Sequence, residues 1–149
     1  PVTTIEVLLG KFISAVIFIA FMLAPTILYA VFIAFLGDLD WGPVIGGYIG
    51  ALLLGSAFAA IGILCSSLTK NQIISFIVGI FICYFITLID KLLFFVPKLL
   101  LNFFQFLGAD FHFQNVAKGI IDSRDIIYFV TLMFISLFIA NLVIKEKTV

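Results

Sequence analysis

The stretch CSSLTKNQIISF, residues 65–76, decides how the chain folds. Both flanks are almost purely apolar, yet it carries three serines, a threonine, a lysine, an asparagine and a glutamine. Two readings compete. The polar run is either a site buried inside a membrane, where such groups are rare and usually functional, or a surface turn between two spans. Segment length chooses between them. A helix needs about 20 mostly apolar residues to cross a ~30 Å hydrocarbon core. Upstream, VIGGYIGALLLGSAFAAIGILCSSL (44–68) has that length, and downstream IISFIVGIFICYFITLI (73–89) lies at the short end of the range. Thr69, Lys70, Asn71 and Gln72 therefore fall where a turn is geometrically required. Ser66 and Ser67 can bond to carbonyls of the preceding helical turn.

Two further segments qualify: FISAVIFIAFMLAPTILYAVFIAFL (12–36) and IIYFVTLMFISLFIANLVI (126–144). None of the four holds a charge. Their runs are continuous and lack the alternation of a barrel strand. The expected fold is an all-α, polytopic membrane bundle of four helices, with short interfacial or re-entrant helices before the last span.

Composition agrees. The 149 residues are 64% apolar and 11% charged, with 19 phenylalanines and a mean hydropathy of +1.36. A soluble domain is about 45–50% apolar and roughly 25% charged. Zero formal net charge gives no argument for nucleic acid or an acidic ligand. Cys65 and Cys83 lie in separate apolar runs without metal spacing and read as small buried hydrophobes. The chain opens at Pro1 with no signal-like, positively charged stretch before its first apolar run. It reads as part of a longer protein whose beginning is missing.

Orientation follows from lysine and arginine near the helix ends. With the amino end inside, the inner elements carry Lys11, Lys70, Lys145 and Lys147, and the first outer loop carries only Asp38 and Asp40. The stretch 90–125 holds Lys91, Lys98, Lys118 and Arg124 among four aspartates, so the raw count ties. Both termini inside is the preferred arrangement.

That outer stretch is too apolar for water and too interrupted to span. Phe113, Val116, Ala117, Ile120 and Ile121 repeat at helical spacing, with Gln114, Lys118 and Asp122 opposite them. Such a pattern describes short helices over 91–122 that lie in, or dip into, one membrane interface. Pro97 and Gly108 divide them into two pieces.

Few residues suggest chemistry. Span two carries a small-residue stripe, Gly47, Ala51, Gly55, Ala59 and Gly62, with Gly46 and Gly50 also four apart. Small residues let helix backbones approach closely in lipid, within one chain or between subunits. Pro25 removes a hydrogen bond inside span one and is a candidate hinge. The lone His112, near Asp110, lacks the three or four ligands of a zinc site. Asp90 and Lys91 read as interfacial anchors. No nucleophile elbow, P-loop or HExxH motif occurs, so no catalytic residue, metal or cofactor is expected and the chain is not read as an enzyme.

Four stretches, PVTTIEVLLGKF (1–12), DWGPVIGGYIG (40–50), SSLTKNQIISFIVG (66–79) and GIIDSRDIIYF (119–129), together give the chain a family likeness. It resembles the permease subunits of type-2 ABC transporters, most closely the group containing the gliding-motility-associated permease and the copper-processing permease of nitrous oxide reductase maturation. The resemblance implies six spans per subunit, two like or unlike subunits, and a separate cytoplasmic ATPase. Residues 1–149 would be the C-terminal part of one transmembrane domain, holding spans three to six, in a bacterial inner membrane. Thr3, Thr4, Ile5 and Glu6 would be the tail of the coupling segment that meets the ATPase, with Thr69, Lys70, Asn71 and Gln72 as a second contact. A polar turn bearing Lys70 can make charge-assisted bonds to a partner. The expected function is an ATP-driven permease, an exporter. The alternatives are a non-transporting anchor or assembly subunit, an intramembrane enzyme, and a channel or secondary carrier. An ion-coupled carrier would place an ionisable group near mid-membrane, and none of the four spans has one.

Overall fold

A computed structural model describes residues 2–148 of the chain. Pro1, which opens the first quoted stretch, and Val149 lie outside the described residues. Those residues form helices joined by short turns, with no strand among them: α1 (Thr4–Leu23), α2 (Ile27–Leu36), α3 (Trp41–Leu68), α4 (Gln72–Leu92), α5 (Lys98–Leu107), α6 (Ala109–Ala117) and α7 (Ser123–Thr148). Four segments are long and apolar enough to cross a membrane: Thr4–Leu36, Trp41–Leu68, Gln72–Phe95 and Ser123–Lys147. The chain is an all-α polytopic membrane bundle.

Local chemistry sets the boundaries. Thr3 and Glu6 form a reciprocal capping box at the start of α1, the Thr3 amide donating to Glu6 Oε2 at 2.7 Å. This occupies amide donors that have no intrahelical partner. Asp40 caps α3 by accepting from the Gly42 amide at 3.1 Å. Asn71 caps α4 by accepting from the Ile73 amide at 3.0 Å. The polar run 69–72 is thus the end of one helix and the cap of the next. Ser67 Oγ bonds back to the Leu64 carbonyl at 2.7 Å.

Pro25 falls in a 3₁₀ turn, Ala24–Thr26, that separates α1 from α2. Proline has no N–H to donate and crowds the turn before it. The Ile27 amide turns to the Ala24 carbonyl, and the Leu23 carbonyl accepts instead from the Thr26 hydroxyl at 2.6 Å, which lies 2.8 Å from the Tyr48 hydroxyl of α3.

At the centre of the bundle, α3 packs against α1, α4, α6 and α7. Its buried positions are mostly small: Gly46, Gly50, Ser56, Ala57, Ala60, Ile61 and Cys65. Small residues suit a helix with neighbours on several sides, because attraction in lipid comes from close packing. The outer faces are apolar, with Phe21 79% and Phe134 68% exposed. In water such surface is unfavourable by about 25 cal/mol per Å²; acyl chains remove that penalty.

Between α4 and α7 the chain folds α5 and α6 into one end of the bundle. α6 contacts α3, α4, α5 and α7, and its Ala109, His112 and Val116 are buried. The apolar spacing at 113–121 suggests one continuous helix, yet α6 stops at Ala117. Gly119 takes φ of 84°, a left-handed conformation that glycine adopts without strain. Ile120 and Ile121 consequently leave the helix and are exposed.

Candidate functional site

The ends of α3, α4, α5 and α7 converge on α6, and there, among the described residues, lie the buried histidine and the buried carboxylates. His112, one turn into α6, is 1% exposed, and Asp125, in the first turn of α7, is 3% exposed. Their Nδ1 and Oδ1 atoms are 2.5 Å apart. The other ring nitrogen, Nε2, lies 2.8 Å from the Phe106 carbonyl. A carbonyl only accepts, so Nε2 carries a hydrogen. One more hydrogen lies between Nδ1 and Asp125, and the pair is net neutral whichever atom holds it. Burial of two ionisable groups is tolerable on those terms.

The helix ends explain the placement. Phe106 and Leu107 close α5, where the last carbonyls lack intrahelical donors. His112 bonds the first of these, and Tyr128 Oη donates to the second at 2.7 Å. The His112 and Tyr128 rings stack at 4.1 Å with 20° between planes. Asp125 occupies the end of α7 where aligned peptide dipoles favour negative charge. Three helices are thereby cross-braced by one imidazole and one phenol.

Asp90, near the end of α4, completes the polar end. A Cβ on Gly108 would sit 1.3 Å from its Oδ1. Only a residue without a side chain admits the carboxyl there, at the start of α6. Both Asp90 oxygens and Asp125 Oδ2 are buried without a well-aligned hydrogen bond among the described residues, the Phe111 backbone amide being the donor that approaches the Asp90 carboxyl. The neighbouring Lys91 turns instead to Asp110 at 2.8 Å, and Gln114 donates to the same carboxylate.

The acid nearest His112 in the sequence is Asp110. The partner of His112 is Asp125, beyond the Gly119 turn. Asp125 and Tyr128 lie three apart on α7, a spacing that shares a helix face, and this was the one available signal. Among the described residues no group of three or more His, Cys, Asp or Glu could hold a metal ion. Cys65 and Cys83 are free thiols.

The residues singled out as ATPase contacts lie at the opposite end. Thr3, Ile5 and Glu6 are exposed, while Thr4 is half-buried and its hydroxyl donates to Asn141 of α7 at 3.3 Å. Lys70, Asn71 and Gln72 are exposed and Thr69 is half-buried. Thr69 Oγ1 donates to the Asn71 carbonyl at 3.0 Å. Beside this turn Lys147 Nζ donates to the Ser67 and Leu68 carbonyls at 2.6 and 3.0 Å, a cation placed at the negative end of α3.

The small-residue stripe divides by neighbour. Gly55 faces Ile19 of α1, where a Cβ would meet side-chain carbons at 3.2 Å. Gly47 and Ala51 border a groove against α2, and Gly62 lines a larger groove between α3 and α4. Ala59 is half-buried. The tightest approach belongs to Gly46, where a Cβ would come within 2.1 Å of the Val116 carbonyl.

Comparison with family models, with curated proteins and with solved structures finds no match.

Proposed function

We propose that this chain is a membrane-embedded permease subunit of an ATP-driven, ABC-type exporter. It works as a homo- or heterodimer with a separate cytoplasmic ATPase in a bacterial inner membrane. The observation that carries the reading is the division of the bundle into two unlike ends. One end is closed by α5 and α6, inserted directly before the last span and braced through His112. The other presents the capped start of α1 and the exposed turn at Lys70. The sequence motifs at 1–12, 40–50, 66–79 and 119–129 support the same reading.

In this mechanism ATP binding closes the ATPase dimer, which pushes on Thr3 to Glu6 and on the turn 69–72. The helices then rock between inward and outward access, with the 3₁₀ turn at Pro25 as the point where the first span bends. The braced end moves as one piece.

Lys70→Glu in the full-length protein tests the contact. Loss of one charge-assisted bond and gain of a repulsive charge should weaken co-purification of the ATPase by about tenfold. Unaltered assembly would confine the turn to a connecting role. Intact assembly with an ATPase that substrate does not stimulate would instead favour a membrane anchor.

A further inference from the structure

One face of α7 meets the end of α5 in a groove of about 380 Å³. Arg124 stands at its mouth, Tyr128 and Phe106 form its upper wall, and Thr131 and Ile135 continue it along α7. From residue 124 to residue 135 a helix rises ~16 Å, close to half of the ~30 Å hydrocarbon core. The groove therefore has the length of an acyl chain in one leaflet. Its mouth lies where a headgroup would lie.

The mouth is also electrostatically uncommitted. Asp110 is paired with Lys91 and Asp125 with His112. Asp122 accepts from the backbone amide of Arg124, not from its side chain. Among the described residues no carboxylate pairs with the exposed Arg124 guanidinium. A planar guanidinium matches two phosphate oxygens. Lower in the groove the Thr131 hydroxyl also forms no hydrogen bond among the described residues, unlike that of Thr87, which bonds back to the Cys83 carbonyl. A helix of ~10 Å diameter over the same length would occupy on the order of 1,200 Å³, so a chain of methylenes is the better fit.

We propose that this groove binds one anionic phospholipid in the leaflet that holds α5 and α6, its phosphate on Arg124 and one acyl chain along α7 as far as Ile135. The His112 brace acts here as a positioning device, since it fixes the Phe106 and Tyr128 rings that form the wall. The inference is independent of transport.

Native mass spectrometry of the full chain, released from micelles holding equal phosphatidylglycerol and phosphatidylcholine of identical acyl chains, tests it. Wild type should retain phosphatidylglycerol about tenfold over phosphatidylcholine. Arg124→Gln should abolish the preference and Arg124→Lys should keep part of it. Ile135→Trp, which fills the deep end, should lower retention of both lipids. Equal retention by wild type, or a preference that survives Arg124→Gln, would overturn the proposal. Loss of preference in Arg124→Gln with full retention in Ile135→Trp would also overturn it, since it leaves a surface anion contact without a bound chain.

Discussion

At the scale of single residues, His112 carries the most structural consequence. Removing one member of a buried pair leaves its partner desolvated and unpaired, which costs about 3 kcal/mol. His112→Ala and Asp125→Asn should each lower stability by about that amount in detergent thermal unfolding. The double variant should lose less than the sum, with a coupling above ~1 kcal/mol. Strict additivity would mean that the two residues do not act as a pair. None of this was legible from His112 in isolation. A lone histidine offers no metal set, and its partner lies across a turn whose geometry depends on Gly119. Asp90 was similarly opaque. Its place at a helix end suggested an anchor in the interface, whereas the carboxyl turns inward because Gly108 has no side chain to exclude it.

At the scale of elements, the four spans and the caps were readable because they rest on local rules. Span length follows from bilayer thickness. Asn71 and Asp40 cap helices because their short side chains reach the amides two residues on. The close contacts were harder to read. Small residues recur on most sides of α3, and sequence periodicity alone does not say which side meets backbone. The structure separates them. Gly46→Ala drives a methyl into the Val116 carbonyl and should cost about 1–3 kcal/mol. At Gly47 a Cβ meets nothing within 4 Å, so Gly47→Ala should change stability by no more than ~0.5 kcal/mol. Equal effects at the two positions, measured by the same unfolding assay, would contradict the packing of α6 on α3. The apolar rhythm of 113–121 misled for a related reason. Periodicity reports side-chain character, and it does not register a glycine able to end the helix.

At the scale of the whole molecule, charge and chain direction meet. Four antiparallel spans put the start of α1, the turn 69–72 and the end of α7 together, and with them Lys70 and Lys147. The other end collects α5, α6 and the buried acids. The overall bundle was legible because hydrophobic length dominates every other term in a bilayer. The burial of polar groups at one end was not, since it depends on how α5 and α6 fold back among the spans. The permease reading requires that the Lys70 end face the ATPase. The most direct measurement uses the full-length protein with Cys65 and Cys83 replaced, in inside-out membrane vesicles. Single cysteines introduced by Lys70→Cys and, separately, by Asp38→Cys are offered to a thiol cross-linker. Capture of a Walker-motif ATPase from position 70 and not from position 38 is the expected result. Capture from neither position, with thiol labelling still placing position 70 on the cytoplasmic face, would leave the four-span topology standing and contradict the transporter reading.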